Sequence, residues 1–174
     1  MREVITTANL IVGSDGATTA GGSSIGLSTA QDRSRFNNLR GKSDLILIGG
    51  NTARREPYKR TPIPLYILTH GSLRLQPKNQ LVKQFMMPVA DLVSEIARNF
   101  PPVDSKLPIN LLVEAGPKLL QEMIDQGLID YLYLTINHEK TGENQISVEK
   151  LTTTFKLAES EKVGSCQFNY YKKV

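Results

Sequence analysis

DLILIGGNT, residues 44–52, is the stretch that decides the fold class. Four consecutive aliphatic residues followed by two glycines are typical of a central parallel strand that is covered on both faces. A second stretch, INLLVEAGP at residues 109–117, has the same layout, and here the strand leads directly into a helix with proline in its first turn. Two such units predict an α/β protein with a mostly parallel sheet.

Further strands and helices extend this sheet in both directions. The other predicted strands are Val4 to Val12, Ile63 to Leu68, Asp130 to Asn137, a short strand near Gln84 to Met86, and a C-terminal antiparallel pair at Thr154 to Glu159 and Cys166 to Lys172. The predicted helices run from a cap at Ser28 to Gly41, from Val89 to Asn99 and from Pro117 to Gln126. Alternating strands and helices imply right-handed crossovers. We expect a single domain, residues 1–174.

The composition fits an ordinary globular domain. The chain has 174 residues, of which 40% are apolar and 22% charged, which is enough for one core. One cysteine, Cys166, and two histidines provide neither a disulfide framework nor a Cys/His zinc site. No apolar run approaches the roughly 18 residues of a membrane span, and the N-terminus lacks a signal-peptide layout. We therefore expect a cytoplasmic protein that holds no metal ion.

Positive charge is concentrated between Arg33 and Arg60. The net charge of the whole chain is +4, which is too small to indicate a nucleic-acid partner. The segment itself carries eight Lys and Arg residues against Asp44 and Glu56, a balance of +6, so the rest of the chain carries −2. A local field of this sign suits a phosphate-bearing ligand, and solvated helix and loop faces are the alternative reading.

Three segments follow predicted strands, at the edge where open α/β sheets bind ligands. They are Ile48 to Thr52, Glu114 to Pro117 and the loop GSDGATTAGGSSIG from Gly13 to Gly26. The loop has five glycines, and we expect it to lie outside the core and to serve function. The chain has neither GxGxxG nor GxxxxGK[ST], which argues against a Rossmann fingerprint and a P-loop.

The order of these residues is similar to that of a known family. The matching positions are Asn9, Ser14 to Gly16, Ser28, Arg33, Leu39-Arg40, Asp44 to Arg54, Glu56, Leu112 to Pro117, Leu120 and Gly127 to Asp130. Over residues 4–137 the chain resembles the reductase domain of riboflavin biosynthesis, the C-terminal half of the bifunctional deaminase–reductase. The resemblance implies a three-layer dihydrofolate-reductase-like fold with a mostly parallel central sheet and antiparallel C-terminal edge strands. It also implies a homodimer.

In that family NADPH reduces a ribosylaminopyrimidine 5′-phosphate to the ribitylamino product. The resemblance implies two catalytic carboxylates, Glu114 at the ribose and Glu56 near the nicotinamide and ribose. Other roles stay open for both residues. Glu114 also fits a carboxylate that satisfies free amides at a helix N-terminus, and Glu56 fits a surface partner of Arg54 or Arg55.

The resemblance also implies which residues bind the two ligands. For the phosphorylated pyrimidine these are Ser24 and Arg40. Outside the matching positions, Lys59 or Arg60 could supply a further phosphate contact from nearby. Arg40 is equally a cation near a helix C-terminus. For NADPH the implied contacts are Gly49, Gly50, Thr52, Thr69, Gly116, Pro117, Lys118, Leu119 and Leu120.

One departure from the family pattern keeps other functions open. Position 17 is Ala, where many members carry Lys or Arg after Asp-Gly. One alternative is a dihydrofolate-reductase-like reductase of a pterin or another small substrate, which we rank lower because we expect no buried Asp on the first helix: it carries Asp32 near its start and is otherwise basic. The other is a nucleotide-binding module without catalysis, which the missing cation favours.

Overall fold

The computed structural model describes residues 1–102, 104 and 106–174, and within them it contains ten strands and five helices. The strands are β1 (Val4–Gly13), β2 (Ala17–Thr19), β3 (Leu45–Gly49), β4 (Leu65–Leu68), β5 (Val82–Phe85), β6 (Ile109–Val113), β7 (Tyr131–Asn137), β8 (Glu143–Gln145), β9 (Phe155–Val163) and β10 (Cys166–Lys173). The helices are α1 (Ala30–Gly41), α2 (Gly50–Arg55), α3 (Val89–Asn99), α4 (Pro117–Asp125) and α5 (Val148–Leu151). A 3-10 turn covers Ser24–Leu27.

Eight strands form one sheet in the order β5-β4-β3-β6-β1-β7-β10-β9. The pairs from β5 to β7 are all parallel, and β10 runs antiparallel to both β7 and β9. The remaining strands, β2 and β8, form a separate antiparallel pair. This arrangement confirms the predicted α/β class, the mostly parallel sheet and the antiparallel C-terminal edge.

The sheet is covered on both faces, which gives three layers. Helices α3 and α4 bury one amphipathic stripe each, with Leu92 and Ile96 of α3 and Leu120 and Met123 of α4 in the larger core. The side chains of β3 are fully buried and alternate between the two faces, as expected for a central parallel strand. On the second face a smaller cluster around Ile46, Ile48 and Leu112 packs against α1 and the segment after α2.

The glycine-rich loop contradicts one expectation. Within it, Ala17–Thr19 forms β2, and all three residues are buried, so part of the loop does belong to the interior. Hydrogen bonding makes this burial possible, because the Thr18 hydroxyl donates to the Asn144 carbonyl at 2.9 Å and the Thr19 hydroxyl to Glu143 Oε2 at 3.0 Å. Ala17 is fully buried, so position 17 has no room for a long cation.

A local prediction next to this loop is also wrong. The cap of α1 is Thr29, whose Oγ1 accepts from the Asp32 amide at 3.2 Å, and Ser28 instead donates to Asp32 Oδ2 at 2.7 Å. The residues after β3, for which the sequence analysis predicts no helix, form α2. A six-residue helix that begins at Gly50 after a Gly49 cap carries little local signal, because glycine is a poor helix former.

Candidate active site

A cleft of about 950 Å³ lies beyond the carboxyl ends of β3, β4 and β6 and beside the middle of β1. Its walls are α1, α2, the first turn of α4 and the glycine-rich loop with its 3-10 turn. Three of the predicted ligand-binding segments therefore meet in one place, as parallel topology requires. Phe36 of α1 and Leu119 of α4 supply apolar surface, while Asn9 and Thr18 supply polar groups.

A buried carboxylate cluster lies in this cleft. Glu114, directly after β6, accepts from Arg40 Nε at 2.7 Å, from Arg40 Nη2 at 2.8 Å and from the Tyr58 hydroxyl at 2.7 Å. The Glu114 side chain is 2% exposed and that of Arg40 16%. The structure thus brings together the predicted catalytic Glu114 and the predicted substrate ligand Arg40, with a tyrosine that the sequence did not indicate.

The environment of this cluster shifts the pKa values of Tyr58 and Arg40. Burial, followed by the negative charge of Glu114, raises the pKa of Tyr58 well above its usual value, so the hydroxyl stays protonated and donates. Burial opposes the charge on Arg40, but the hydrogen bond and charge of Glu114 outweigh it and raise the pKa of Arg40. Both groups therefore act as hydrogen-bond donors to one fixed carboxylate.

Glu56 anchors the glycine-rich loop. Its Oε2 accepts from the Ser23 hydroxyl at 2.8 Å and its Oε1 from the Ser24 amide at 2.7 Å. On the other side of the loop, Glu143 accepts from the Gly21 amide at 3.1 Å. The loop is thus held between two carboxylates, and Glu56 has this partner rather than the surface arginines considered from the sequence.

We expect Glu56→Ala to open the loop. The substitution removes two hydrogen bonds to a carboxylate, and each such bond contributes about 1.5–3 kcal/mol. Amide exchange across residues 21–25, followed by mass spectrometry, should become at least about tenfold faster. Glu139→Ala, which removes an exposed carboxylate elsewhere, serves as control. Unchanged exchange in the loop would contradict the anchoring role.

A second part of the cleft is formed by backbone. A Cβ on Gly50 would lie 2.7 Å from Thr69 Oγ1 and 3.2 Å from Arg54 Nη1, so only glycine fits there without displacement. The Gly116 amide donates to Thr52 Oγ1 at 3.0 Å, which ties α2 to the start of α4. Gly49 lies alongside Leu119. All three glycines line the cleft, so backbone forms part of its wall.

Helix α4 begins with Gly116 as its cap, and no side chain caps it. Pro117 follows at the first helical position, and Lys118 also lines the cleft. An uncapped helix N-terminus presents amide donors and a partial positive charge, which together suit an anionic ligand such as a diphosphate. This is the geometry that the sequence predicted for the segment after β6.

Most of the predicted site residues line the cleft. They are Ser24, Arg40, Gly49, Gly50, Thr52, Glu56, Thr69, Glu114, Gly116, Pro117, Lys118 and Leu119. Two do not. Arg60 is exposed outside the cleft, and Leu120 is buried in the core, where its amide donates to the Gly116 carbonyl. Their proposed ligand contacts stay predictions that the geometry does not support.

Two polar residues of the cleft stand out among those that the sequence analysis does not assign to the site. Tyr58 follows α2 in a segment without a recognisable pattern. The expectation that the first helix has no buried Asp is wrong, because Asp32 is only 8% exposed and lines the cleft. The Ser28 bond explains its burial, since a carboxylate near a helix N-terminus is stabilised by such donors. A serine four residues ahead of Asp32 was the available signal.

The described residues also contain no cluster of three or more His, Cys, Asp or Glu side chains arranged to hold a metal ion. Within the same part of the chain, no helix is long and apolar enough to cross a bilayer.

The fold of the chain is dihydrofolate-reductase-like, as its similarity to solved structures of riboflavin-biosynthesis reductases and of dihydrofolate reductase shows. Among solved structures, the chain is similar to a pyrimidine reductase-like protein from Corynebacterium diphtheriae, with a TM-score of 0.74 and 17% identity over 98% of this chain and 92% of that one. It is also similar to dihydrofolate reductase from Enterococcus faecalis, complexed with NADP(H), with a TM-score of 0.68 and 14% identity over 97% and 96%.

A third similar structure is longer than this chain. It is the diaminohydroxyphosphoribosylaminopyrimidine deaminase/5-amino-6-(5-phosphoribosylamino)uracil reductase from Thermotoga maritima, with a TM-score of 0.71 and 15% identity. The alignment covers 99% of this chain but 57% of that protein. No protein-family model matches the sequence, and no curated protein sequence does. At these identities the similarities show the fold.

Proposed function

We propose that the protein is an NADPH-dependent reductase that converts a ribosylaminopyrimidine 5′-phosphate into the ribitylamino product. The observation that carries the proposal is the cleft itself, because it joins an open backbone cradle to a polar half with carboxylates and an arginine. The similar solved structures include a uracil reductase of this type and a reductase complexed with NADP(H), which supports the same reading.

The residues present fit a pyridine dinucleotide. A Cβ on Gly50 would press on Thr69 and one on Gly116 would press on Thr52, so these glycines let backbone and threonine hydroxyls pack together in the cleft wall. The start of α4 offers amide donors for a diphosphate. Thr52 and Thr69 place hydroxyls beside this backbone. When bound, NADPH would supply a hydride, and the protein would contribute position and charge. The chain's own residues bind, orient and shield the sugar.

The substrate half lies between α1 and the glycine-rich loop. Arg40 provides a permanently charged fork for a phosphate, and Glu56 with Ser24 holds the loop against the cleft. Glu56 stays in the proposed site as a carboxylate near the reacting sugar. The positive balance of the segment from Arg33 to Arg60 favours an anionic substrate over a neutral one.

The decisive experiment follows NADPH absorbance in the presence of each candidate substrate. We expect oxidation with the phosphorylated ribosylaminopyrimidine, whether or not its ring is deaminated, and a mass shift of two hydrogens in the product. Dihydrofolate serves as the comparison. Saturable NADPH binding without turnover of any substrate would instead favour a nucleotide-binding module, and no NADPH binding would remove the proposal.

A pterin reductase is the second candidate, and Asp32 is the observation that favours it. A buried carboxylate on the first helix of the cleft can hydrogen-bond the amino and ring N–H groups of a heterocycle. A pyrimidine offers the same groups to a carboxylate. The burial of Asp32 therefore removes one argument against a pterin substrate, but it does not distinguish a pterin from a pyrimidine. Faster NADPH oxidation with dihydrofolate than with the ribosylaminopyrimidine would decide for the second candidate.

We also propose that the chain forms a homodimer through the β9 end of the sheet. Strand β9 has β10 as its one neighbour in the sheet and is exposed along most of its length. Such an edge offers unpaired backbone groups to another chain. On β7 and β10, which precede β9 in the sheet order, the rings of Tyr133 and Tyr170 stack with their centres 4.6 Å apart. Sedimentation should give twice the 19.3 kDa of the chain.

A further inference from the structure

The Glu114 carboxylate has little capacity left for a ligand. A carboxylate offers about four acceptor positions. Arg40 Nε, Arg40 Nη2 and the Tyr58 hydroxyl occupy three of them, at 2.7, 2.8 and 2.7 Å. The side chain is 2% exposed, so at most one acceptor position remains for a sugar hydroxyl.

Arg40, in contrast to Glu114, keeps free hydrogen-bonding groups. Its guanidinium has five N–H groups, and Glu114 uses two of them. No described residue accepts a hydrogen bond from Nη1, and Arg40 lines the cleft. The guanidinium carbon lies 4.4 Å from the centre of the Phe36 ring and 5.4 Å from that of Tyr58. The group is therefore fixed on one edge and on its faces, and its other donors remain free.

We propose that Glu114 and Tyr58 are positioning residues that hold the Arg40 guanidinium, and that the free edge of Arg40 contacts the anionic group of the substrate. This inference rests on the proposed function and deepens it. A forked ion pair fixes the plane of the guanidinium, and a fixed group loses less entropy when it binds an anion. Tyr58 completes the arrangement by fixing the carboxylate oxygen that pairs with Nη2.

The two possible roles of Glu114 predict different kinetics. If Glu114 contacts the sugar, Glu114→Gln lowers kcat on every substrate. If it holds Arg40, the same substitution raises KM for the phosphorylated substrate and leaves the dephosphorylated one almost unchanged. Comparison of the two substrates in steady-state assays therefore separates a direct contact from a positioning role.

We expect a graded series of effects on KM for the phosphorylated substrate. Arg40→Gln should raise it about 30-fold, Glu114→Gln about tenfold and Tyr58→Phe about threefold, in line with losing a charged contact, its partner and one further hydrogen bond. Arg35→Gln is the matched control on the same helix, because Arg35 pairs with Glu161 away from the cleft. Tyr66→Phe controls for loss of a buried tyrosine hydroxyl.

Coupling between the residues provides a test that a purely structural role would not pass. If Tyr58 acts through Arg40, Tyr58→Phe should have no further effect on phosphate preference in the Arg40→Gln background. An additive effect would overturn the inference. So would a Glu114→Gln variant that loses kcat equally on both substrates with KM unchanged.

A binding measurement makes the inference independent of turnover. Calorimetry with ribose 5-phosphate, and with ribose as comparison, should show a phosphate preference in the wild-type chain that the three variants reduce in the same order. This result without any NADPH-dependent reduction would support the inference and reject the proposed function. NADPH-dependent reduction without any effect of the variants on phosphate preference would support the proposed function and overturn the inference. No phosphate preference by either method overturns the inference.

Discussion

Glu114→Ala should lower the free energy of unfolding by about 3–5 kcal/mol, the cost of breaking a buried ion pair by removing one partner. The substitution leaves the Arg40 guanidinium, which is mostly buried, without its counter-ion. It also leaves the buried Tyr58 hydroxyl without an acceptor. Urea unfolding of the two chains, followed by circular dichroism, gives the difference directly.

The matched control is Glu161→Ala. Glu161 pairs with Arg35 at 2.5 Å, but both side chains are largely exposed, and exposed pairs contribute about 0–1 kcal/mol. Burial is thus the variable that differs between the two pairs. A loss below about 1 kcal/mol for Glu114→Ala would mean that solvent reaches the cluster freely, and it would also weaken the argument that Arg40 is held in place.

The secondary structure could be predicted where local pattern and burial agree. The run at residues 45–48 is apolar because β3 is covered on both faces, and the stripe in Val89–Asn99 repeats because α3 covers one face. The helix after β6 was predicted to within one residue because Pro117 and Gly127 mark its ends, and Gly127 has a φ of 69°.

Elements held by distant polar contacts could not be predicted in this way. Strand β2 is small and polar, and its partner β8 lies more than 120 residues away, as the Thr18 and Thr19 bonds show. Periodicity describes neighbours in sequence and carries no information on such a pair. Helix α2 is also absent from the predicted elements, because six residues that begin with glycine show no helical periodicity.

In the candidate site, too, residues placed by topology could be predicted, and contacts between residues distant in sequence could not. Gly49, Gly50 and Gly116 could be placed because glycine after a parallel strand follows from topology. The partners of Glu114 could not, since Arg40 is 74 residues away and Tyr58 56. Most residues that the resemblance implied line the cleft, whereas Leu120 does not. The contacts among them are the basis of the different roles that we propose for Glu114 and Arg40.

Gly50→Val should weaken NADPH binding about 100-fold, equivalent to about 2.7 kcal/mol. A side chain at this position would displace the Thr69 hydroxyl, 2.7 Å from its Cβ, and Arg54 Nη1, 3.2 Å away. Both residues line the proposed coenzyme half of the cleft. The dissociation constant, measured by fluorescence of the bound coenzyme, reports this loss without requiring turnover.

Substitutions at two other glycines serve as controls. Gly41→Val adds the same side chain at the end of α1, where no atom lies within 4 Å, and should leave NADPH binding unchanged. Gly49→Ala places a Cβ 3.4 Å from Leu119, an ordinary contact, and should cost little. If Gly50→Val does not fold, Gly50→Ala keeps the Cβ that meets Thr69 and Arg54 without the two further methyl groups, and it should still weaken binding about tenfold. An affinity within threefold of wild type in a folded Gly50 variant would move the coenzyme away from this backbone.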